Sequence, residues 1–169
     1  TTYIAKNLLS MKDKRFTYRI IFIPETIGSI VYLSKNLEVM REKIIAGFNI
    51  TCVGDNNSFS FLPSRNQNTL ADRVAIHALE YSNLEYQKYS FLDRGSDERQ
   101  YCWPNTNLSM SSLMRSKYHN YPEYHTSLDD LKSIVTPKGF ESSYNIYKKI
   151  IQSLEKKIFP VSKTFCEPM

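Results

Sequence analysis

The sequence is poor in the residues that hold metals and form disulfides: 169 residues contain three histidines, three cysteines and five glycines. Cys52, Cys102 and Cys166 stand far apart, odd in number and without a C-x-x-C pair. A reducing compartment is therefore a simpler expectation than a disulfide framework. Cys52 falls inside the apolar run Ile50 to Val53, which reads as a buried small hydrophobe rather than a nucleophile. No apolar stretch approaches the ~20 residues needed to span a bilayer, and no charged-then-apolar leader opens the chain. The expectation is a soluble, cytoplasmic protein with no membrane partner. The chain begins at Thr1 in what reads as mid-helix, so an upstream portion is also expected.

There is no basic block. Lys and Arg number 22 against 17 Asp and Glu, a net charge of +5 spread along the chain. A solvated surface explains that balance as well as an anionic partner does, and without a basic run interleaved with aromatics no nucleic acid is expected. Internal repeats and low-complexity tracts are absent as well.

What is present is a core-building composition, 41% hydrophobic, in a length that suits one domain. Ile4, Leu8 and Leu9 give Thr1 to Ser10 helical spacing. Arg15 to Ile23 (RFTYRIIFI) is aromatic and β-branched and meets Pro24, which predicts a buried strand ending at Glu25. Gly28 to Leu33 and Leu37 to Lys43 predict two short helices around a break at Ser34 to Asn36. Ile44 to Val53 predicts a second buried strand, closed by the turn Gly54-Asp55-Asn56-Asn57.

Thr69 with Asp72 three residues on predicts a capped helix to Tyr81. Leu108 to Met114 predicts a third strand. Thr136-Pro137 opens a last helix with Phe140, Tyr144, Tyr147, Ile151 and Leu154 on its buried face. Ser58 to Asn68 reads as a long exposed loop. Residues 1–159 are expected to form the domain and 160–169 an extended tail or linker. The fold class that follows is α/β, a mixed, mainly parallel sheet flanked by helices. Ligands in such sheets gather at the carboxyl ends of strands, where the expected topology puts Glu25, Asp55 and, in the loop after the third strand, His125.

Each candidate has a plain alternative. His77 reads as a packed or partly exposed helical residue and His119 as an exposed loop residue. His125 lies in an aromatic-flanked loop before a Thr or Ser cap, where packing competes with metal ligation. Asp93 to Tyr101 concentrates three acids and two arginines, either as a salt-bridged helix start or as a source of carboxylates (Asp97, Glu98) and a substrate clamp (Arg99). Glu25, an acid following a buried strand and a proline, suits a general base or an exposed cap.

Five segments carry a resemblance: Phe22 to Ser29 (FIPETIGS), Pro63 to Asn66 (PSRN), Asn68 to Arg73 (NTLADR), Gly95 to Tyr101 (GSDERQY) and Pro122 to Asp130 (PEYHTSLDD). In order and approximate spacing they resemble a bacterial aminopeptidase-like family, itself similar to the di-zinc exopeptidases and often found beside polysaccharide-biosynthesis genes. The resemblance runs from Thr1 to about Lys157 and matches the C-terminal part of such a domain. It implies an α/β/α zinc-exopeptidase fold, incomplete here, and zinc as the cofactor of the intact domain.

It also implies roles. In that family a Glu-Glu pair supplies the base and a metal ligand; here the pair is Glu25-Thr26, so Glu25 takes either role. The next metal-binding Asp falls near Thr51, with Asp55 a possible replacement. A Ser-Asp-His motif corresponds to Ser96-Asp97-Glu98 and a closing Tyr-His-Thr to Tyr124-His125-Thr126. The first His and the bridging Asp fall before Thr1. The implied site is thus Glu25 as base or ligand, His125 as ligand, Asp97 and Glu98 as orienting carboxylates, and Arg99 or Arg65 on a peptide or amide-containing small substrate. A non-catalytic binding or scaffold domain that kept the fold is the alternative, supported by Thr26 and Thr51 at acid positions.

Overall fold

The computed structural model describes residues 1–156. The expected tail from Pro160, and Cys166 with it, lie outside the described residues.

Four short strands form one sheet in the order β1-β4-β2-β3, with β1 at Gly47–Asn49, β2 at Phe59–Leu62, β3 at Tyr86–Lys88 and β4 at Met110–Met114. The β1/β4 and β2/β3 pairs are parallel and β2/β4 is antiparallel. The sheet is therefore mixed and mainly parallel, and the class is α/β.

Side chains on a strand alternate between faces, and the core divides accordingly. Phe59, Phe61 and Leu113 turn to one side, where α1 (Thr2–Ser10), α3 (Leu70–Tyr81) and α5 (Pro137–Glu155) supply Ile4, Leu8, Ala75, Leu79, Ile146, Tyr147 and Ile150. On the other side Leu62 and Met114 pack with Phe91, Cys102 and Tyr118. Met110 meets Leu33 and Met40 of α2 (Ile27–Lys43) and Tyr101 of α4 (Glu98–Tyr101).

Several expectations are corrected. Arg15 to Ile23 forms no strand. Phe16, Tyr18 and Ile20 are half-buried and alternate with exposed Thr17 and Arg19, as in an extended run, but among the described residues no neighbouring strand bonds to it. Strand propensity is realised through pairing. The two helices expected around Ser34 to Asn36 are one. Ser34 Oγ donates to the Val31 carbonyl and Asn36 Nδ2 to the Tyr32 carbonyl, both at 2.8 Å, so these polar side chains bond back onto the helix instead of breaking it. The strand expected over Ile44 to Val53 is only Gly47–Asn49.

The supposed loop Ser58 to Asn68 contains the central, fully buried strand β2. Its Phe-Ser-Phe-Leu pattern is short and flanked by turn formers, which disguises it. On α5 the buried face is Gly139, Ser143, Ile146, Tyr147, Ile150, Ile151 and Leu154. Phe140 is 47% exposed because Gly139, not Phe140, meets the backbone of Gly54 and Asp55. The helix at Thr69 forms as expected, with Asp72 Oδ2 accepting from the Thr69 N–H at 2.8 Å.

Candidate active site

Glu25 stands at a sharp corner. Its carbonyl accepts from the Ile27 N–H at 2.7 Å, and between them Thr26 takes φ 60 and ψ −70. This is the rarer γ-turn, strained for a β-branched residue. Two bonds hold the corner from outside: the Thr26 N–H donates to Asp97 Oδ1 and the Ser96 hydroxyl to Glu25 Oε1, each at 2.7 Å. The segment Ser96-Asp97 thus grips both halves of the Glu25-Thr26 pair, and Glu25 Oε2 has no partner among the described residues.

That segment is set by Glu98, which is fully buried. Its Oε1 accepts from the N–H groups of Gly95 and Ser96 at 2.9 and 3.0 Å and from Tyr118 OH at 2.7 Å. Its Oε2 accepts from Asn49 Nδ2 at 2.9 Å and Ser112 Oγ at 3.3 Å. Burial pushes the carboxyl up, but the bonds from Tyr118, Ser96 and Gly95 outweigh it and hold its pKa below 4.5. Glu98 is a buried anion committed to protein donors. It ties β1, β4 and the Gly95-Ser96 turn to one point.

Opposite Glu25 runs the segment Thr51 to Asp55. Cys52 has φ 47, with its carbonyl accepting from the Arg115 N–H at 2.8 Å. His125, at φ 58, is exposed and stacks on Tyr124 with ring centroids 4.0 Å apart. Tyr121 OH bonds Asp129 at 3.1 Å. These walls enclose a cavity of about 410 Å³ lined by Glu25, Ser96, Thr51, Asp55, His125 and Asp129 together with Tyr118, Tyr121, Tyr124, Val135 and Phe140. Thr26, Cys52 and His125, three of the positive-φ non-glycine residues, stand at or beside this cavity.

The remaining candidates are placed as follows. Asp55 lines the cavity, but its carboxylate accepts from the Asn57 N–H at 2.8 Å and from the Ser116 N–H and hydroxyl at 3.0 Å. Arg99 is exposed on α4 and is not among the lining residues. Arg65 is exposed, its Nη1 3.4 Å from Asn107 Oδ1. His77 is exposed and stacked on Tyr81, and His119 is an exposed residue at φ 67.

Cys52, expected to be buried, is a half-buried wall residue. Burial raises its thiol pKa and lifts that of Cys102 to about 11, so neither is a ready thiolate. Sequence reasoning did not single out Ser96, Tyr118 or Tyr121 as site residues. Ser96 adjoins Asp97 in the GSDERQY segment, while the two tyrosines lie in a polar loop with no distinguishing spacing.

Residues 1–157 match the family described as "Domain of unknown function (DUF4910)". A Clostridium acetobutylicum protein named as a polysaccharide biosynthesis protein with an aminopeptidase-like domain is 37% identical over 168 residues, 99% of this chain and 38% of the relative. The chain therefore spans well under half of that relative's length. A crystal structure from C. acetobutylicum described as a peptidase superposes with a TM-score of 0.85 at 38% identity, covering 91% of this chain and 36% of the other. A zinc aminopeptidase from Bacillus subtilis shares the fold, with a TM-score of 0.61 at 15% identity over 79% of this chain and 34% of the other. The chain belongs to the DUF4910 family and shares the fold of the aminopeptidase on which it superposes.

Proposed function

We propose that the chain forms part of a zinc-dependent aminopeptidase-like site acting on a peptide or an amide-containing small substrate, with Glu25 as the carboxylate that takes a proton from the attacking water. One observation carries this: Glu25 is clamped by Ser96 on a strained corner and faces a cavity shared with His125, in a chain of aminopeptidase-like descent. The cavity holds the carboxylates of Glu25, Asp55 and Asp129 and no Lys or Arg among its lining residues, which suits the cationic free amine of an aminoacyl substrate. Its walls of Tyr121, Tyr124, Val135 and Phe140 suit an apolar side chain.

Zinc requires three or four protein donors. Among the described residues no group of three or more His, Cys, Asp and Glu could hold a metal, and the proposed donors are two, Glu25 and His125. The residues present do not amount to a zinc site. Asp97 holds the Glu25-Thr26 corner and Glu98 holds the Gly95-Ser96 turn, both as positioning groups. Asp55 shapes the opposite wall. Arg99 and Arg65 would reach substrate only beyond the cavity.

NMR titration with leucinamide tests the reading. Shifts are expected at Thr51, Cys52, Val53 and His125, reduced severalfold in Glu25→Gln. No perturbation of those residues at millimolar leucinamide overturns it. A non-catalytic binding domain is the second reading, favoured by Thr26 and Thr51 where the family has acids. It predicts leucinamide binding that is indifferent to Glu25→Gln.

A further inference from the structure

A second, larger and more apolar cavity lies beside the first. Its volume is about 850 Å³, and it runs between the segment Thr17 to Ile23 and the strand β1, over a floor of Ile4, Leu8, Ile150 and Leu154. Both long walls are backbone edges without partners among the described residues. Among the described residues no backbone group of Thr17 to Ile23 makes a hydrogen bond, although the run is β-branched and aromatic, with Tyr18, Ile20, Ile21 and Ile23 half-buried.

On the facing wall, β1 ends the sheet and pairs only with β4. The Gly47 N–H is spent on the Ser109 carbonyl at 2.8 Å. Alternation along a parallel strand then turns the N–H and C=O of Phe48 outward, into the cavity. An apolar slot with an unpaired extended edge on each side is the negative of a β-strand, since only another backbone satisfies both edges at once.

We propose that this slot is a strand-acceptor groove, filled by an extended, apolar, β-branched polypeptide segment from outside residues 1–169 that pairs with β1 on one side and with Thr17 to Ile23 on the other. Three observations select this occupant over an apolar small molecule. The segment Thr17 to Ile23 has strand chemistry and no strand partner among the described residues. The floor is the same helical layer, α1 and α5, that already carries the rest of the sheet. The curated relative has more chain than the 38% matched here. The groove also reaches Ile50 and Asp97, next to the Glu25 corner, so the end of an inserted strand enters the candidate site. The proposal stands on the two edges and does not depend on the hydrolase reading.

The test is amide hydrogen exchange on the full 169-residue chain, alone and after co-production with the portion of the clostridial relative outside the match. Alone, the amides of Thr17 to Ile23 and Phe48 should exchange fast. In the complex both sets should slow by at least tenfold while those of β2 and β4 stay as they were. Ile21→Pro removes a donor that has no partner in the chain alone, so it should leave the urea midpoint unchanged and weaken capture about tenfold. Failure of the polypeptides to associate, or association without slowing at both edges, overturns the proposal. So does concentration-dependent protection in the chain alone, which would make a second copy the occupant. Equal protection by decanoate without any polypeptide would assign the groove to an apolar ligand instead.

Discussion

A carboxylate removed from water costs several kcal/mol unless donors replace its hydration, and Glu98 meets that condition with bonds from Gly95, Ser96, Tyr118, Asn49 and Ser112. Truncating it orphans those donors. Glu98→Ala should cost about 3 kcal/mol, the scale of losing a charge-assisted buried network, read as a lower urea midpoint. The pH dependence has a definite sign. The folded carboxyl titrates below 4.5, so the unfolded chain takes up the proton first and stability rises with pH in that range. The Glu98 contribution is present above the ordinary carboxylate range and is lost as pH falls through the folded value. Glu98→Gln should therefore flatten the acid limb of the stability profile and leave its shape at neutral pH unchanged. Parallel profiles for the two proteins would mean that the carboxylate is not the titrating group.

At the scale of elements, the cavity wall depends on how α5 begins. Thr136 caps the helix through the Gly139 N–H at 2.9 Å, and its own N–H donates to the Gly54 carbonyl at 2.8 Å. A Cβ at Gly139 would overlap the Gly54 carbonyl oxygen, which is backbone and has little room to yield. Gly139→Ala should cost about 1–3 kcal/mol as overpacking and should shift NMR signals of Thr51 to Asp55, whereas Glu141→Ala, exposed on the same turn, should do neither. Legibility in the sequence follows the same local logic. The capping box at Thr69 and the Thr136-Pro137 start were readable because their bonds lie within four residues. Strand β2 and the lack of a strand pairing for Thr17 to Ile23 among the described residues were not, because pairing is decided by residues far along the chain. Of the residues at and around the cavity, Glu25 drew notice by its place after an apolar run and a proline, Asp97 and Glu98 by the charged segment Asp93 to Tyr101 and His125 by its aromatic-flanked loop, and the family resemblance points to all four. The network role of Glu98 depends on Tyr118 and Asn49, which no local pattern connects to it.

For the whole molecule the open quantity is how much zinc affinity this chain carries. A complete zinc site of three or four donors supplies roughly 10–16 kcal/mol. The two donors proposed, Glu25 and His125, would supply about half, or ~5–8 kcal/mol, which corresponds to a Kd between about 1 μM and 0.2 mM. One Glu25 oxygen already accepts from Ser96, which places the value toward the weak end. Calorimetry with zinc chloride on the 169-residue chain should accordingly give a Kd weaker than about 1 μM. His125→Ala should abolish what binding there is, while His77→Ala, on the exposed face of α3, should leave it intact. Hydrolysis of an aminoacyl p-nitroanilide should stay at background with or without zinc. Tight binding that survives His125→Ala would move the metal away from the Glu25 cavity, and chelator-sensitive hydrolysis by the chain alone would show that donors beyond Glu25 and His125 complete the site, with Asp55, Asp97 and Asp129 the first to replace.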